Sequence, residues 1–172
     1  MKSERVYLEQ MIDAADQIHP GRRIIRRGIE SMTREEQNIQ TAQAGYAAFL
    51  RGDIPAILAL CDEQVEWIMP GAGAIPTAGI KKGHSGVLDF FGAVAATWQF
   101  EVFEPREYVA SGDRVVVLGH YRARSRKTGR VVGSDWAMAW RFRDGKCLRL
   151  QEFTDTAVLA AALDESAASA GR

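Results

Sequence analysis

The sequence predicts an α+β domain in which helices pack on the concave face of a curved antiparallel sheet, preceded by an N-terminal helical arm. Three observations indicate this architecture. Apolar residues recur at helical spacing in the first half of the chain, strand-like alternation dominates residues 99–155, and three turn signals divide that second half. Helices followed by consecutive strands are typical of α+β domains, because the helices gather on one side of the sheet.

Length and charge limit the classes of partner. The chain has 172 residues, with 22 basic and 22 acidic side chains, so no net charge favours nucleic acid or a membrane surface. The N-terminus has charges every few residues instead of the apolar core of a secretion signal, and no apolar stretch reaches transmembrane length. We therefore expect a cytoplasmic protein with no nucleic-acid and no membrane partner.

Residues 1–33 are predicted to form the helical arm. A loose apolar stripe on residues 4–18 is followed by "HPGRRIIRRG", in which four arginines surround two isoleucines. The segment carries six basic and five acidic side chains, so solvated surface or a partner contact is favoured over anion binding. Packing of the arm on a second subunit is one role that the pattern leaves open.

The domain proper is predicted at 34–164, with a flexible tail at 165–172. Thr33 and Glu36 form a capping-box pattern before a helix that ends at Gly52, and Asp53 is a predicted N-cap of a second, short helix. A strand at "QVEWIM" is followed by a Gly/Pro-rich loop, residues 70–79. A third helix is predicted from about Ser85, with an apolar side formed by Val87, Leu88, Phe91, Val94 and Trp98.

The second half is predicted to be a meander of four antiparallel strands. Its turns are "SGD" at 111–113, "KTGR" at 127–130 and "RDGK" at 143–146, where Asp144-Gly145 is a strong hairpin signal. Asp155 is then expected to cap a short C-terminal helix. On the second strand, His120, Arg122 and Arg124 share one face with Arg126, and this face is either solvated or part of a subunit interface.

A curved sheet covered by helices leaves a cavity that can hold a ligand. Inward positions on the predicted strands and the third helix supply the candidate lining, although a plain core role is the alternative for the bulky ones. The candidates are Trp67, Met69, Phe91, Trp98, Trp136, Met138, Leu150 and Thr154.

The last strand, in "LQEFTD", contains the leading candidate for a catalytic group. With a period of two, Leu150, Glu152 and Thr154 share one face, and the leucine marks this face as buried. Burial raises the pKa of a carboxyl group, so Glu152 can serve as a general base. The alternatives are a salt bridge with Arg122 or Arg149, or a solvated position at the cavity rim.

Tyr121, Tyr46 and His84 are candidate hydrogen-bond donors to a developing negative charge. A core position with a satisfied hydroxyl is the alternative for each tyrosine. His84 lies in "GHSG" at the start of the third helix, where the cavity mouth, the surface and a capping role are all open. That motif is not a nucleophile elbow, because Val87 stands where the elbow needs glycine.

The sequence lacks the patterns of cofactor sites. It has no glycine-rich phosphate loop, no dinucleotide fingerprint and no His/Cys/Asp cluster at metal spacing. Cys61 and Cys147 are distant from each other along the chain, so reduced thiols without structural zinc are expected. The predicted chemistry therefore needs no metal and no cofactor.

Three stretches carry a resemblance to a known family. "YAAFLRGDIPAILALCDEQVEWIMPG", "AGIKKGHSGVLDFF" and "FRDGKCLRLQEFTD" resemble the NTF2-like superfamily, or cystatin-like cone, in its SnoaL-like branch, which is related to the ketosteroid isomerases. The likeness covers about residues 37–163. It implies a cone-shaped α+β fold, a ligand cavity and a homodimer formed through the sheet.

The family's functional positions are only partly retained. The isomerase base, which precedes a proline after the first strand, corresponds to Met69, and the acid that stabilises the enolate falls near Met138. The arginine and aspartate of the limonene-type epoxide hydrolases correspond to Gly119 and Tyr121. Their last-strand carboxylate corresponds to Glu152.

Together, these observations favour a cofactor-independent enzyme that acts on a small, mostly apolar organic molecule by general acid/base chemistry. Polyketide cyclases, isomerases and dehydratases are the reaction types that the resemblance implies. The alternative from another class is a small-molecule-binding or accessory module that uses the same cavity without turnover.

Overall fold

The computed structural model describes residues 32–165, in which the chain forms four helices and a six-stranded sheet. The helices are α1 (Arg34–Leu50), α2 (Ile54–Ala59), α3 (Gly83–Thr97) and α4 (Thr156–Leu163). The strands are β1 (Cys61–Met69), β2 (Gly79–Lys82), β3 (Trp98–Ser111), β4 (Arg114–Ser125), β5 (Val131–Arg143) and β6 (Lys146–Thr154). The predicted arm and tail lie outside the described residues, except for Met32, Thr33 and Glu165.

The three predicted helix caps are confirmed. The backbone N–H of Glu36 donates to Thr33 Oγ1 at 3.2 Å, and the N–H of Thr33 donates to the Glu36 carboxylate at 2.8 Å, so the capping box is complete. The carboxylate of Asp53 caps α2, and that of Asp155 caps α4. These caps fix where the chain turns from loop into helix around the sheet.

The strand order in the curved, unclosed sheet is β2-β1-β6-β5-β4-β3. The predicted antiparallel meander is confirmed, because β3, β4, β5 and β6 pair in sequence order. The pairing of β1 with β6 is parallel, so the sheet is mixed. This follows from the path of the chain, which crosses from β2 through α3 to the far edge and returns by three hairpins to lie beside β1.

Three details of the first half differ from the sequence prediction. A short edge strand, β2, follows the Gly/Pro-rich loop. Its four residues lack a buried, alternating face, so the sequence pattern did not predict it. The buried side of α3 includes Phe90, whereas Leu88 is 49% exposed. The helix begins two residues earlier than predicted, at Gly83.

The turn at Asp144-Gly145 has the geometry that its sequence predicts. Both residues have positive φ, at 50° and 75°, as a two-residue type I′ hairpin requires. Close to this turn the register of β6 against β5 shifts between Arg141 and Phe142. The irregularity interrupts strict alternation, so Cys147 is fully buried although the period of two placed it outward.

The two cysteines are neighbours in space. Cys61 and Cys147 are Cα partners in the parallel pairing of β1 with β6, and both side chains are buried as free thiols. Their distance along the chain had suggested two isolated thiols, which is wrong. Sequence separation cannot reveal this contact, because it depends on the crossover that brings β6 beside β1.

Candidate functional site

A cavity of about 90 Å³ lies between the helices and the concave face of the sheet. A space of this size holds several water molecules or a small organic group. Half of its lining residues are aromatic, and these are Tyr46, Phe49, Trp67, Phe90, Phe91, Trp98, Phe100, Phe103, Tyr121 and Trp140. An apolar, concave wall of this kind with few polar groups is typical of small-molecule sites.

Glu152 lies in the wall of this cavity. Its cross-strand partner on β5 is Met138, and Met69 on β1 is next in the parallel register after Ile68 and Gln151. The carboxyl group therefore sits between two methionine side chains. It makes no hydrogen bond and no ion pair to any residue of the described range 32–165.

Neither arginine suggested as a partner of Glu152 pairs with it. Arg122 forms an ion pair with Glu101, with Nε and Oε2 3.0 Å apart. The guanidinium of Arg149 donates to the side-chain oxygen of Gln151 at 3.3 Å. The side chain of Glu152 is half-buried, and it forms part of the cavity wall.

Burial raises the pKa of Glu152 to about 7. Desolvation disfavours the carboxylate, and no neighbouring cation or hydrogen-bond donor in the described chain offsets this cost. Near neutral pH both the acid and the carboxylate are therefore populated. A group in this state can take a proton from a bound molecule and return it.

The hydroxyl of Tyr46 is engaged by the protein. It accepts a hydrogen bond from Trp140 Nε1 at 2.9 Å and donates one to Met138 Sδ at 3.4 Å. Burial raises the pKa of Tyr46 far above its usual value, so the hydroxyl stays protonated. The group lines the cavity, but it can donate to a ligand only by giving up the contact with Met138.

Tyr121 is held by a short chain of hydroxyl groups. Its Oη lies 3.0 Å from Thr154 Oγ1, which lies 3.0 Å from Ser134 Oγ, and the serine hydroxyl donates to the carbonyl oxygen of Asp135. Burial raises the pKa of Tyr121 to about 12. Thr154 thus orients Tyr121 and does not itself line the cavity.

Two further sequence candidates lie outside the cavity wall. His84 Nε2 is 3.3 Å from the carbonyl oxygen of Cys61, at the start of α3. Trp136 lies across Gly119, and its ring stacks on Phe103 with the ring centroids 5.2 Å apart. Because Gly119 has no side chain, the Trp136 indole occupies the space beside it. The candidates that do line it are Trp67, Met69, Phe91, Trp98, Met138 and Leu150.

Sequence reasoning missed one polar residue of the cavity wall, Thr77. It lies in the loop between β1 and β2, is only 8% exposed, and lines the cavity. Loop residues have no period that tells inward from outward positions, so no sequence signal could have found it. The shape of the loop, which packs Ile75 into the core, brings Thr77 inward.

The outer face of the sheet carries paired charges. Glu101 binds Arg122 and Arg124, and His120 Nδ1 is 2.8 Å from the carboxylate of Asp135. Three members of the predicted basic stripe therefore have acidic partners within the domain, whereas Arg126 donates to the carbonyl oxygen of Trp98. Residues 32–165 contain no group of three or more potential metal ligands, and none of their helices could span a membrane.

Comparison with known proteins places this architecture in a family. The family model of the SnoaL-like domain matches residues 42–150, which is most of the described range. The chain belongs to the SnoaL-like family. The matched region contains α2, α3 and all strands up to Leu150, and Glu152 lies just beyond it.

Solved structures agree with this SnoaL-like assignment. An NTF2-like protein from Burkholderia xenovorans has a TM-score of 0.70 and 34% identity, and the match covers 76% of this chain and 98% of that one. TerC, co-crystallized with polyporic acid, has a TM-score of 0.66 and 33% identity over 74% of this chain and 98% of its own. An uncharacterized protein of Mycobacterium bovis is 28% identical over 69% of this chain and 89% of its own length.

In this member of the SnoaL-like family, Glu152 is flanked by two methionines. Met69 and Met138 occupy the two positions where the resemblance to the isomerases would place carboxyl groups, and both flank Glu152. Space for an arginine at position 119 is also absent, because the Trp136 ring fills it. A single acid between two thioethers replaces these arrangements.

Proposed function

We propose that the cavity is the active site of a cofactor-independent enzyme that acts on a small, mostly apolar organic molecule, with Glu152 as the general base. One observation carries the proposal: a carboxyl group with a pKa of about 7 faces an apolar cavity and has no partner in the described chain. A structural carboxylate would normally be paired or solvated, whereas a desolvated acid in a cleft is typical of catalytic sites.

The shared first step of the proposed reactions is proton abstraction beside a carbonyl. The carbon–hydrogen bond breaks, the proton passes to the Glu152 carboxylate, and the electron pair moves through the new carbon–carbon double bond to the carbonyl oxygen. In isomerisation the protonated Glu152 returns the proton to carbon, and in dehydration it protonates the oxygen that leaves as water. In aldol cyclisation the enolate carbon forms a bond with a second carbonyl carbon, and the proton passes to the oxygen of that carbonyl. Isomerisation, aldol cyclisation and dehydration differ only in this second half, so the site supports the class rather than one member.

The solved relative TerC supports an organic molecule as the proposed ligand. That protein was co-crystallized with polyporic acid, and it shares a third of its aligned sequence with this chain. We propose that the corresponding cavity of this protein also holds an organic molecule.

Exchange of a carbon-bound proton tests the proposed base without knowledge of the natural substrate. 2-Tetralone has acidic protons beside its carbonyl, and their replacement by deuterium in D₂O is measured by NMR. We expect the protein to accelerate exchange, with a rate that rises about tenfold per pH unit below pH 7 and levels off above it, because only the carboxylate form of Glu152 accepts the proton. A rate independent of pH between 5 and 8 contradicts the assignment.

The second candidate function is a binding module without turnover. It is favoured by the hydroxyls of Tyr46 and Tyr121, both of which have protein partners and therefore stabilise an oxyanion only after rearrangement. This function gives saturable binding of 2-tetralone with no exchange above the rate set by buffer. The same NMR experiment therefore separates the two candidates.

We also propose that a second copy of the chain covers the outer face of the sheet. An outer apolar patch, formed by Val109, Val116, Leu118 and Phe153, is between 38% and 61% exposed. Leu118 and Phe153 lie in one row across three strands with only Ala137 between them. Side chains of both charges flank this patch. A two-fold axis can therefore place the basic side chains of one subunit opposite the acidic side chains of the other.

Replacement of Leu118 by arginine is expected to break this dimer, because it places a charge within the outer apolar patch. Light scattering after gel filtration should give twice 19.0 kDa for the wild type and 19.0 kDa for Leu118→Arg. Leu88→Arg is the matched control, since Leu88 is 49% exposed, against 40% for Leu118, but lies on α3, away from the sheet face. A monomeric wild type, or a dimeric Leu118→Arg, refutes the proposal.

A further inference from the structure

We propose that Trp67 and Thr77 form an acceptor-binding subsite, which selects ligands that carry a carbonyl oxygen or an equivalent hydrogen-bond acceptor. The inference rests on the proposed function only in placing the ligand in the same cavity, and it holds for a binding protein as well as for an enzyme. It concerns the polar groups of the cavity wall that have no protein partner.

The first of these groups is the indole N–H of Trp67. The residue lies in the centre of β1, is 5% exposed and lines the cavity. Its Nε1 is fully buried and has no hydrogen-bond partner within residues 32–165. A buried N–H without an acceptor is unfavourable, and because Trp67 lines the cavity, a bound molecule with an acceptor atom can remove this cost.

The second group is the hydroxyl of Thr77. The side chain is 8% exposed and lines the same cavity, and it makes no hydrogen bond to the described part of the chain. Thr77 lies in the loop that joins β1 to β2, so it approaches the cavity from the side of the sheet to which Trp67 belongs. A hydroxyl and an indole N–H are two donors, and together they can bind both lone pairs of a carbonyl oxygen.

Three other donors of the wall already have protein partners. The indole N–H of Trp140 donates to Tyr46, whose hydroxyl donates to Met138, and Tyr121 is bonded to Thr154. None of them accepts from Trp67 or Thr77 in the described chain, which leaves this role to a bound molecule. A hydrocarbon would leave both groups unsatisfied, whereas a carbonyl compound satisfies them.

The register places these donors at a suitable distance from Glu152. Trp67 is the partner of Leu150 in the parallel pairing, and Glu152 lies two residues further along β6. A strand separation of ~4.8 Å and a two-residue step of ~6.6 Å put the Cα atoms of Trp67 and Glu152 roughly 8 Å apart, on the same face of the sheet. In the proposed pose, the carbonyl oxygen of the ligand lies towards Trp67 and the carbon-bound proton towards Glu152.

The subsite would also stabilise the product of proton abstraction. As the electron pair moves from the broken carbon–hydrogen bond to the carbonyl oxygen, negative charge develops beside the two donors, and hydrogen bonds to a charged oxygen are stronger than those to a neutral one. The donors thus bind the substrate and favour its enolate.

A matched pair of ligands tests the subsite by equilibrium binding. 2-Tetralone and 2-methylenetetralin have nearly the same shape, but an exocyclic methylene replaces the oxygen in the second compound. We expect the wild-type protein to bind the ketone more tightly, and Trp67→Phe and Thr77→Val each to reduce ketone affinity about 5- to 10-fold, as expected for one lost hydrogen bond. Affinity for the methylene compound should change less than twofold in both variants.

Trp136→Phe is the control for Trp67→Phe. Trp136 also has a buried indole N–H without a partner within residues 32–165, but it lies outside the cavity, so its replacement should leave the preference for the ketone unchanged. Thr77→Val keeps the shape of the side chain and tests the subsite even if Trp67→Phe fails to fold. Equal affinity of the wild type for the two compounds, failure to bind either, or parallel losses for both in Thr77→Val overturns the proposal.

Binding and proton exchange separate this inference from the proposed function. A ketone preference without proton exchange leaves the acceptor subsite intact and rejects Glu152 as a base. Exchange that depends on Glu152 with no ketone preference rejects the subsite alone.

Discussion

Glu152→Gln is expected to lower the rate of proton exchange in 2-tetralone by a factor on the order of 10² to 10⁴. Glutamine keeps the length and shape of the side chain but cannot accept a proton from carbon. Because the side chain makes no hydrogen bond to the rest of the described chain, its replacement should leave the cavity wall and the fold intact. A Glu152→Gln protein that exchanges at the wild-type rate removes Glu152 from the mechanism.

The same substitution should change the pH dependence of stability. The pKa of Glu152 is about 7 in the folded protein and about 4.5 in the unfolded chain, so the folded state holds its proton over this interval. The contribution of Glu152 to stability is therefore fully present below pH 4.5 and is lost as the pH rises to 7. Glutamine does not titrate, so the free energy of unfolding of Glu152→Gln, measured in urea, should rise relative to that of the wild type. The increase should reach about 3 kcal/mol between pH 4.5 and 7.5.

Glu107→Gln is the matched control for both measurements. Glu107 is exposed on β3, away from the cavity, so its replacement should alter neither the exchange rate nor the pH dependence of unfolding. A catalytic loss in Glu152→Gln without the pH-dependent gain in stability would show that Glu152 acts as a base with an ordinary pKa. That outcome contradicts the role assigned to desolvation.

The second large effect is expected from Gly119→Ala. A Cβ atom at this position would lie 2.2 Å from Trp136 Cζ2 and 2.5 Å from the carbonyl oxygen of Glu104. The oxygen belongs to the backbone of β3 and cannot move without disturbing the pairing of β3 with β4, so the indole ring must leave its place. We expect a loss of about 1–3 kcal/mol or more in the free energy of unfolding.

Gly92→Ala provides the control for this glycine substitution. Gly92 is exposed within α3, and a Cβ atom there would meet nothing within 4 Å. Alanine in a helix interior loses less conformational entropy than glycine, so this variant should be unchanged or more stable by about 0.5–1 kcal/mol. If both variants are equally stable, the Trp136 ring does not depend on the missing side chain of Gly119.

Most of the fold was predictable because local signals carry it. The capping residues Thr33, Asp53 and Asp155 mark helix starts through hydrogen bonds within three residues, and Asp144-Gly145 specifies its hairpin through backbone conformation. Pairing between distant strands has no such local signal. The parallel contact of β1 with β6, and with it the proximity of Cys61 to Cys147, follows only from the complete path of the chain.

The candidate site was predictable to the extent that it lies on regular strands. A period of two directed Glu152 inward, and the resemblance to a known family pointed to the same residue. The sequence could not show that the hydroxyl of Tyr46 is hydrogen-bonded to Trp140 and Met138, since that depends on side-chain contacts between residues some ninety positions apart. Nor could it find Thr77, whose inward position is set by a loop.

The methionines beside Glu152 determine what raises its pKa. Two carboxyl groups at the positions of Met69 and Met138 would lie beside Glu152, and repulsion among three acids would raise the pKa of at least one of them. With methionines there, desolvation alone raises the pKa of Glu152. The chemistry of this SnoaL-like protein is thus expected to depend on one acid in an apolar wall.

The ionisation of Glu152 is the most direct test of this account. The carboxyl carbon of Glu152 can be followed by ¹³C NMR from pH 4 to 9 in protein labelled at glutamate, with its signal assigned by its loss in Glu152→Gln. We expect a single titration with a pKa near 7, coincident with the midpoint of the pH–rate profile for proton exchange. A pKa near 4.5 would show a solvated carboxylate and contradict the assignment of Glu152 as a desolvated general base.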